Sequence, residues 1–135
     1  VTALLPDTNV DKHGAYLAAR MRAPTWREFW DYLQIRLVTF AEAGLQREDS
    51  DAVVWQRCQD QQLILLTSNR NDDGPDSLEA TIRSRNTPLS LPVFTFGDAD
   101  RILQSAAYAE QVMVSLFDQL LRLDALRGTG RLYLP

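Results

Sequence analysis

Two short polar clusters stand where apolar runs stop. Asp7-Thr8-Asn9 follows Ala3-Leu4-Leu5-Pro6, and Thr67-Ser68-Asn69-Arg70-Asn71-Asp72-Asp73 follows Leu63-Ile64-Leu65-Leu66. A third group, Glu48, Asp49 and Asp51, opens a predicted helix. Carboxylates gathered without a lysine among them repel one another. A hydrated Mg²⁺ or Mn²⁺ is the usual means of offsetting that repulsion. Such an ion can activate water and hold a phosphate for in-line attack. Each acid also has an ordinary reading: Asp49 and Asp51 as a helix cap or first-turn acid, and Asp72 and Asp73 as residues of a turn-rich loop. Asp7 is harder to dismiss, because it follows the end of a buried strand.

The elements that would bring these clusters together are legible as periodicity. Thr2 to Leu5 reads as a buried strand. Asp11 can cap a helix from about Lys12 to Met21. Thr25 with Glu28 has the capping-box spacing for a second helix, Trp26 to Leu33, whose buried stripe would be Phe29, Trp30 and Leu33. Arg36 to Phe40 reads as a second strand, with Leu37-Val38-Thr39-Phe40 as its apolar run. Ser50 or Asp49 caps a third helix reaching about Gln61, and Leu63 to Leu66 is the third strand. A short helix, Leu78 to Arg85, precedes a fourth strand over Leu91 to Phe96, with Pro92 near its start, where a missing donor matters least.

Ala99 to Leu126 carries one wide apolar face and would span about 40 Å as a single long C-terminal helix. That exceeds what a small sheet can cover, so either an overhang packs on a second copy of the chain, a homo-oligomer, or the helix is kinked or broken. Arg131 to Leu134 closes the chain as an edge strand. Alternation of strands and helices predicts one domain, residues 1–135, built as a three-layer α/β/α sandwich on a mostly parallel sheet of order 2-1-3-4. Ligands of such sheets sit beyond the carboxyl ends of the strands where the order reverses, here between strands one and three. Asp7 and Asn9 meet Ser68, Asn69, Asn71 and Asp72 there, and the acidic start of the third helix can reach the same mouth.

Several chemistries are excluded by what is missing. The chain has no Gly-x-Gly-x-x-Gly, no Gly-x-x-x-x-Gly-Lys and no Gly-x-Ser-x-Gly. The one histidine, His13, makes no zinc site and reads as a helix-surface residue. The one cysteine, Cys58, reads as a small buried hydrophobe and cannot form an internal disulfide. A net charge of −4 leaves no basic footprint for non-specific nucleic-acid binding. With 45% hydrophobic residues the chain can fill a core, yet no apolar run reaches membrane-spanning length. Val1-Thr2-Ala3 leads straight into structure, and the expected setting is the cytoplasm of a prokaryote, with no membrane partner.

Leu4-Leu5-Pro6-Asp7-Thr8-Asn9, Gly44-Leu45 through Asp51, and Ile64-Leu65-Leu66-Thr67-Ser68-Asn69-Arg70-Asn71 together resemble a small PIN-like domain of the bacterial toxin-related kind. The resemblance covers the first half of the chain and the element order of the rest. It implies a Mg²⁺- or Mn²⁺-dependent ribonuclease, RNA as substrate and an antitoxin or other protein as partner. It further implies Asp7 and Asp51 as catalytic metal-site acids. The third-strand motif of such proteins usually reads Thr-Asn-Asp-Arg-Asp. Here its two aspartate positions are Asn69 and Asn71, which bring no charge and cannot act as a base, and Asp72 or Asp73 would serve after a one-residue shift. Thr67 or Ser68 would orient water or phosphate, Asn69 would offer a carbonyl oxygen, and Arg70 would hold a phosphate oxygen. The alternative is a catalytically degenerate module that keeps the fold and binds a partner protein or a second copy.

Overall fold

The protein is known here as a computed structural model, which describes residues 1–70 and 73–135. Five strands form one all-parallel sheet: β1 (Thr2–Pro6), β2 (Ile35–Leu37), β3 (Leu63–Thr67), β4 (Val93–Phe96) and β5 (Arg131–Leu134), in the order β2-β1-β3-β4-β5. The helices are α1 (Asp11–Met21), α2 (Arg27–Leu33), α3 (Asp51–Gln61), α4 (Leu78–Arg85), α5 (Ala99–Gln104), α6 (Ala106–Leu121) and α7 (Leu123–Leu126). A single 3-10 turn, Thr8–Val10, links β1 to α1.

The strands are apolar on both faces, as a sheet covered on both sides requires. Leu4, Ile64, Leu66, Phe94 and Phe96 join one core with Leu17 and Met21 of α1 and Val112 and Leu116 of α6. Their sequence neighbours Ala3, Leu5, Leu63, Leu65 and Val93 join a second core with Val54, Trp55 and Cys58 of α3 and Leu78 and Ile82 of α4. Alternate residues of one strand thus serve opposite layers. The expected α/β class, the expected order of the first four strands and the edge position of the last are all observed.

Local expectations fared less evenly. The second strand is Ile35–Leu37, two residues earlier than the Leu37 to Phe40 run. Gln34, at φ 52°, ends α2 abruptly and starts the ladder at once. Val38 still donates its N–H to Leu4 O at 2.8 Å, and Thr39 then enters a turn. The Thr25 capping box does not form, because Trp26 occupies the cap position without a side-chain bond. Phe29 is not in the core but 42% exposed, lying 5.7 Å from the Phe117 ring. Asp11 begins α1 rather than capping it.

The long C-terminal helix is three helices. Ser105 is extended, at ψ 112°, and its hydroxyl accepts from the N–H of Tyr108, so it caps a fresh helix inside the apolar periodicity. A second interruption falls at Arg122. The expected overhang, and the argument for a homo-oligomer drawn from it, lose their basis. Among the described residues no helix is long and apolar enough to cross a membrane.

Candidate functional site

β1 is held at the reversal point of the sheet by a close approach. A Cβ on Gly14 would lie 2.6 Å from Cγ of Pro6, so α1 packs on the end of β1 as only glycine allows. Pro6 therefore faces α1, and Asp7, one residue on, faces the opposite layer. Its backbone N–H donates to Leu66 O at 2.8 Å, extending the ladder with β3 by one step.

The Asp7 carboxylate has two donors. Thr8 N–H reaches Oδ1 at 2.8 Å, and the fully buried Thr67 hydroxyl reaches Oδ2 at 2.9 Å. The Thr67 oxygen in turn accepts from the N–H of Asn69 at 3.0 Å. Thr67 thus orients Asp7 while fixing the turn after β3. Burial pushes the Asp7 carboxyl above its ordinary pKa, and the negative charge of Asp51 pushes it the same way. The opposing influences are the two hydrogen bonds, with no cation among them.

Asp51 enters from the first turn of α3, whose cap is Ser50, its hydroxyl accepting from Val53 N–H at 3.3 Å. Asp51 Oδ2 accepts from Asn69 Nδ2 at 2.9 Å and from Leu78 N–H, the first of α4, at 3.1 Å. It therefore joins the β3 turn to the start of α4, a position where a carboxylate also meets the positive end of the helix. No described residue donates to Asp51 Oδ1.

The remaining expected residues divide. Ser68 lies at the mouth, where its hydroxyl accepts from Asn9 Nδ2 at 3.2 Å. Asn69 is brought to Asp51 as a donor. Arg70 turns away from the carboxylates: it donates to Phe96 O at 3.1 Å and Gly97 O at 2.7 Å, and its guanidinium lies 5.6 Å from the centre of the Tyr133 ring. Asp49 accepts from Gln46 N–H at 2.7 Å and closes a loop turn rather than reaching the mouth. Glu48 is exposed. Asp72, expected as a catalytic and metal-site acid, and Asn71 lie outside the described residues.

Three contributors were not expected. Arg131 of β5 donates to Asn69 O at 2.8 Å and to Thr95 Oγ1 at 2.7 Å, and pairs with Glu79 of α4 at 3.3 Å, its side chain only 6% exposed. With Glu79 and Thr95 it anchors the β3 turn from behind. The only sequence signal was an arginine inside an otherwise apolar edge strand. Cys58 is buried as expected, and burial with the nearby Asp7 charge holds its thiol up at about 12. His13 is not a surface residue: its side chain is 13% exposed and Nε2 stands 3.9 Å from Asp100.

Among the described residues no group of three or more His, Cys, Asp or Glu side chains could hold a metal ion. Two carboxylates remain, Asp7 and Asp51, electrostatically coupled and without a cationic partner. That donor set fits a hydrated hard cation, which takes one or two carboxylates and completes its shell with water. No family model, curated protein or solved structure matches the chain.

Proposed function

We propose that the chain is a PIN-like, Mg²⁺- or Mn²⁺-dependent ribonuclease of the toxin-related kind. The observation that carries this reading is the run of hydrogen bonds that joins Asp7 through Thr67 and Asn69 to Asp51 at the sheet's reversal point, with no described cation beside the pair. Asp7 and Asp51 would hold the cation, with Asp72 as a third carboxylate. When bound, the cation supplies an activated water and neutralises charge building on the phosphate. The chain's own residues do the rest. Thr67 holds Asp7 in one rotamer, and Asn69 with Leu78 N–H holds Asp51 by one oxygen so that the other stays open. Ser68 and Asn9 place a hydroxyl and an amide at the mouth for a phosphate oxygen or water. Arg70, engaged with two carbonyls, gives up that role.

A second reading has its own support. Asn69 stands where a carboxylate belongs in the resemblance, and its amide already satisfies Asp51. On that reading the chain is a degenerate module that binds a partner protein. Millimolar Mn²⁺ separates the two. The nuclease reading expects a raised melting temperature and cleavage of single-stranded RNA, both lost in Asp7→Asn. If Mn²⁺ does neither to the unsubstituted chain, the degenerate reading stands instead.

A further inference from the structure

A cavity of about 340 Å³ lies beside the candidate site, and its lining includes Pro6 and Thr8, the two residues flanking Asp7. Ala15 of α1, Leu37, Val38, Phe40 and Ala41 make its lining mostly apolar, and the exposed Asp11 brings a carboxylate to it. The volume falls near the lower end of the roughly 300–1,000 Å³ range of small-ligand sites. Its wall is preformed. Thr39 Oγ1 accepts from Glu42 N–H at 3.1 Å, while Glu42 Oε1 accepts from Thr39 N–H at 3.0 Å and from the Thr39 hydroxyl at 3.1 Å. This reciprocal pair fixes the turn that carries Phe40.

We infer that this cavity is a nucleobase subsite, taking an unstacked guanine next to the phosphate addressed by Asp7 and Asp51. The inference rests on the nuclease reading for its substrate and on the cavity for its chemistry. The occupant needs a flat face to lie against the apolar lining and must carry no negative charge, because Asp11 would repel it. No described residue donates to the Asp11 carboxylate, and no cation pairs with it. A flat ring with two parallel N–H donors meets these demands: N1–H and N2–H of guanine match a carboxylate bidentately. Phe40, half-buried in the wall, offers a stacking surface of the kind that single-stranded RNA sites use. Pro6 and Thr8, the chain neighbours of Asp7, line the cavity, so a base held there would adjoin the candidate site.

The test is a backbone amide NMR titration of the full chain with guanosine in EDTA, so that it does not depend on metal or cleavage. Saturable shifts are expected at Thr8, Ala15, Phe40 and Ala41, several-fold weaker with uridine. They should be absent in Ala15→Phe, which fills the cavity, and in Asp11→Asn the preference over uridine should fall away. Absence of saturable shifts there, or shifts unchanged in a folded Ala15→Phe, overturns the subsite even if the chain cleaves RNA. Should Ala15→Phe not fold, Asp11→Asn decides, since an unchanged preference overturns it equally. Guanosine binding without Mn²⁺-dependent cleavage would overturn the nuclease reading and leave the subsite.

Discussion

The sheet has two halves that hold their charged groups differently. At β1 and β3 the charged groups are carboxylates, Asp7 and Asp51, and their partners are neutral: hydroxyl, amide and backbone N–H. On the β4 and β5 side two arginines reach across the sheet, Arg70 from the end of β3 and Arg131 from the start of β5, with Asp98 and Asp100 in the loop after β4. Arg70 is spent on two carbonyls, and Arg131 on a carbonyl, a hydroxyl and Glu79. The arginine half is tied to backbone and side-chain acceptors and braces the fold, although one guanidinium nitrogen of Arg131 is buried without a partner. The acidic half is held in place by neutral donors, with no described cation beside the two carboxylates, and the proposed cation would sit there. Oriented hydrogen bonds can fix the geometry of a carboxylate while leaving its charge available.

Four substitutions sharpen or break this contrast. The largest effect belongs to Asp7→Asn, expected to lower Mn²⁺-dependent RNA cleavage by at least about 100-fold. Its stability should move the other way. The folded-state pKa of Asp7 lies above its ordinary value, so ionised Asp7 destabilises the fold at neutral pH. That penalty is relieved as pH falls through the folded-state pKa towards the ordinary one. Asp7→Asn should therefore melt no lower than the parent at neutral pH, and any excess stability should vanish in acid. A large loss of stability at neutral pH would make Asp7 a structural residue.

Arg131→Met tests the arginine half. Leaving Glu79, Thr95 and Asn69 O without their donor should cost about 3 kcal/mol in urea unfolding. A neutral result would mean that this half does not brace the β3 turn. Asn69→Asp asks whether the acidic half accepts more charge. Without metal it should lose about 1 kcal/mol, because a donor to Asp51 becomes a like charge. With Mn²⁺ it should saturate at about a 10-fold lower concentration, read by the shift in melting temperature. Loss of stability with no gain in Mn²⁺ response favours the degenerate module. The smallest effect is Ser50→Ala, expected to cost about 1 kcal/mol by removing the cap of α3, with activity falling only as far as Asp51 loosens.

The architecture was legible because it rests on local periodicity. Runs such as Leu63 to Leu66 can only be strands covered on both faces, and their alternation with amphipathic helices leaves few orders of pairing. The errors share one cause, that boundaries depend on what the chain packs against. Val38 to Phe40 has better strand composition than Ile35 to Leu37, yet the left-handed Gln34 ends α2 early and sets the register. The apolar stripe from Ile102 to Leu123 is continuous in sequence, and Ser105 breaks it with a cap. At the site, Asp7 and Thr67 could be anticipated because each directly follows a buried run. The use of Arg70 for carbonyls could not, since its partners are backbone atoms of another strand. Nor could Arg131, whose partner Asn69 lies 62 residues away.

That separation has a kinetic consequence. The turn carrying Asn69 and orienting Asp51 is clamped by Arg131 only after β5 has joined the sheet beside β4. A contact 62 residues apart must first overcome the entropy of closing its loop, and parallel pairing of this kind forms slowly. The Thr67 contact that orients Asp7 spans 60 residues, so the acids and their clamp carry nearly the same loop-closure cost. The geometry of the acids is therefore a product of the whole sheet closing, not of any short segment folding by itself.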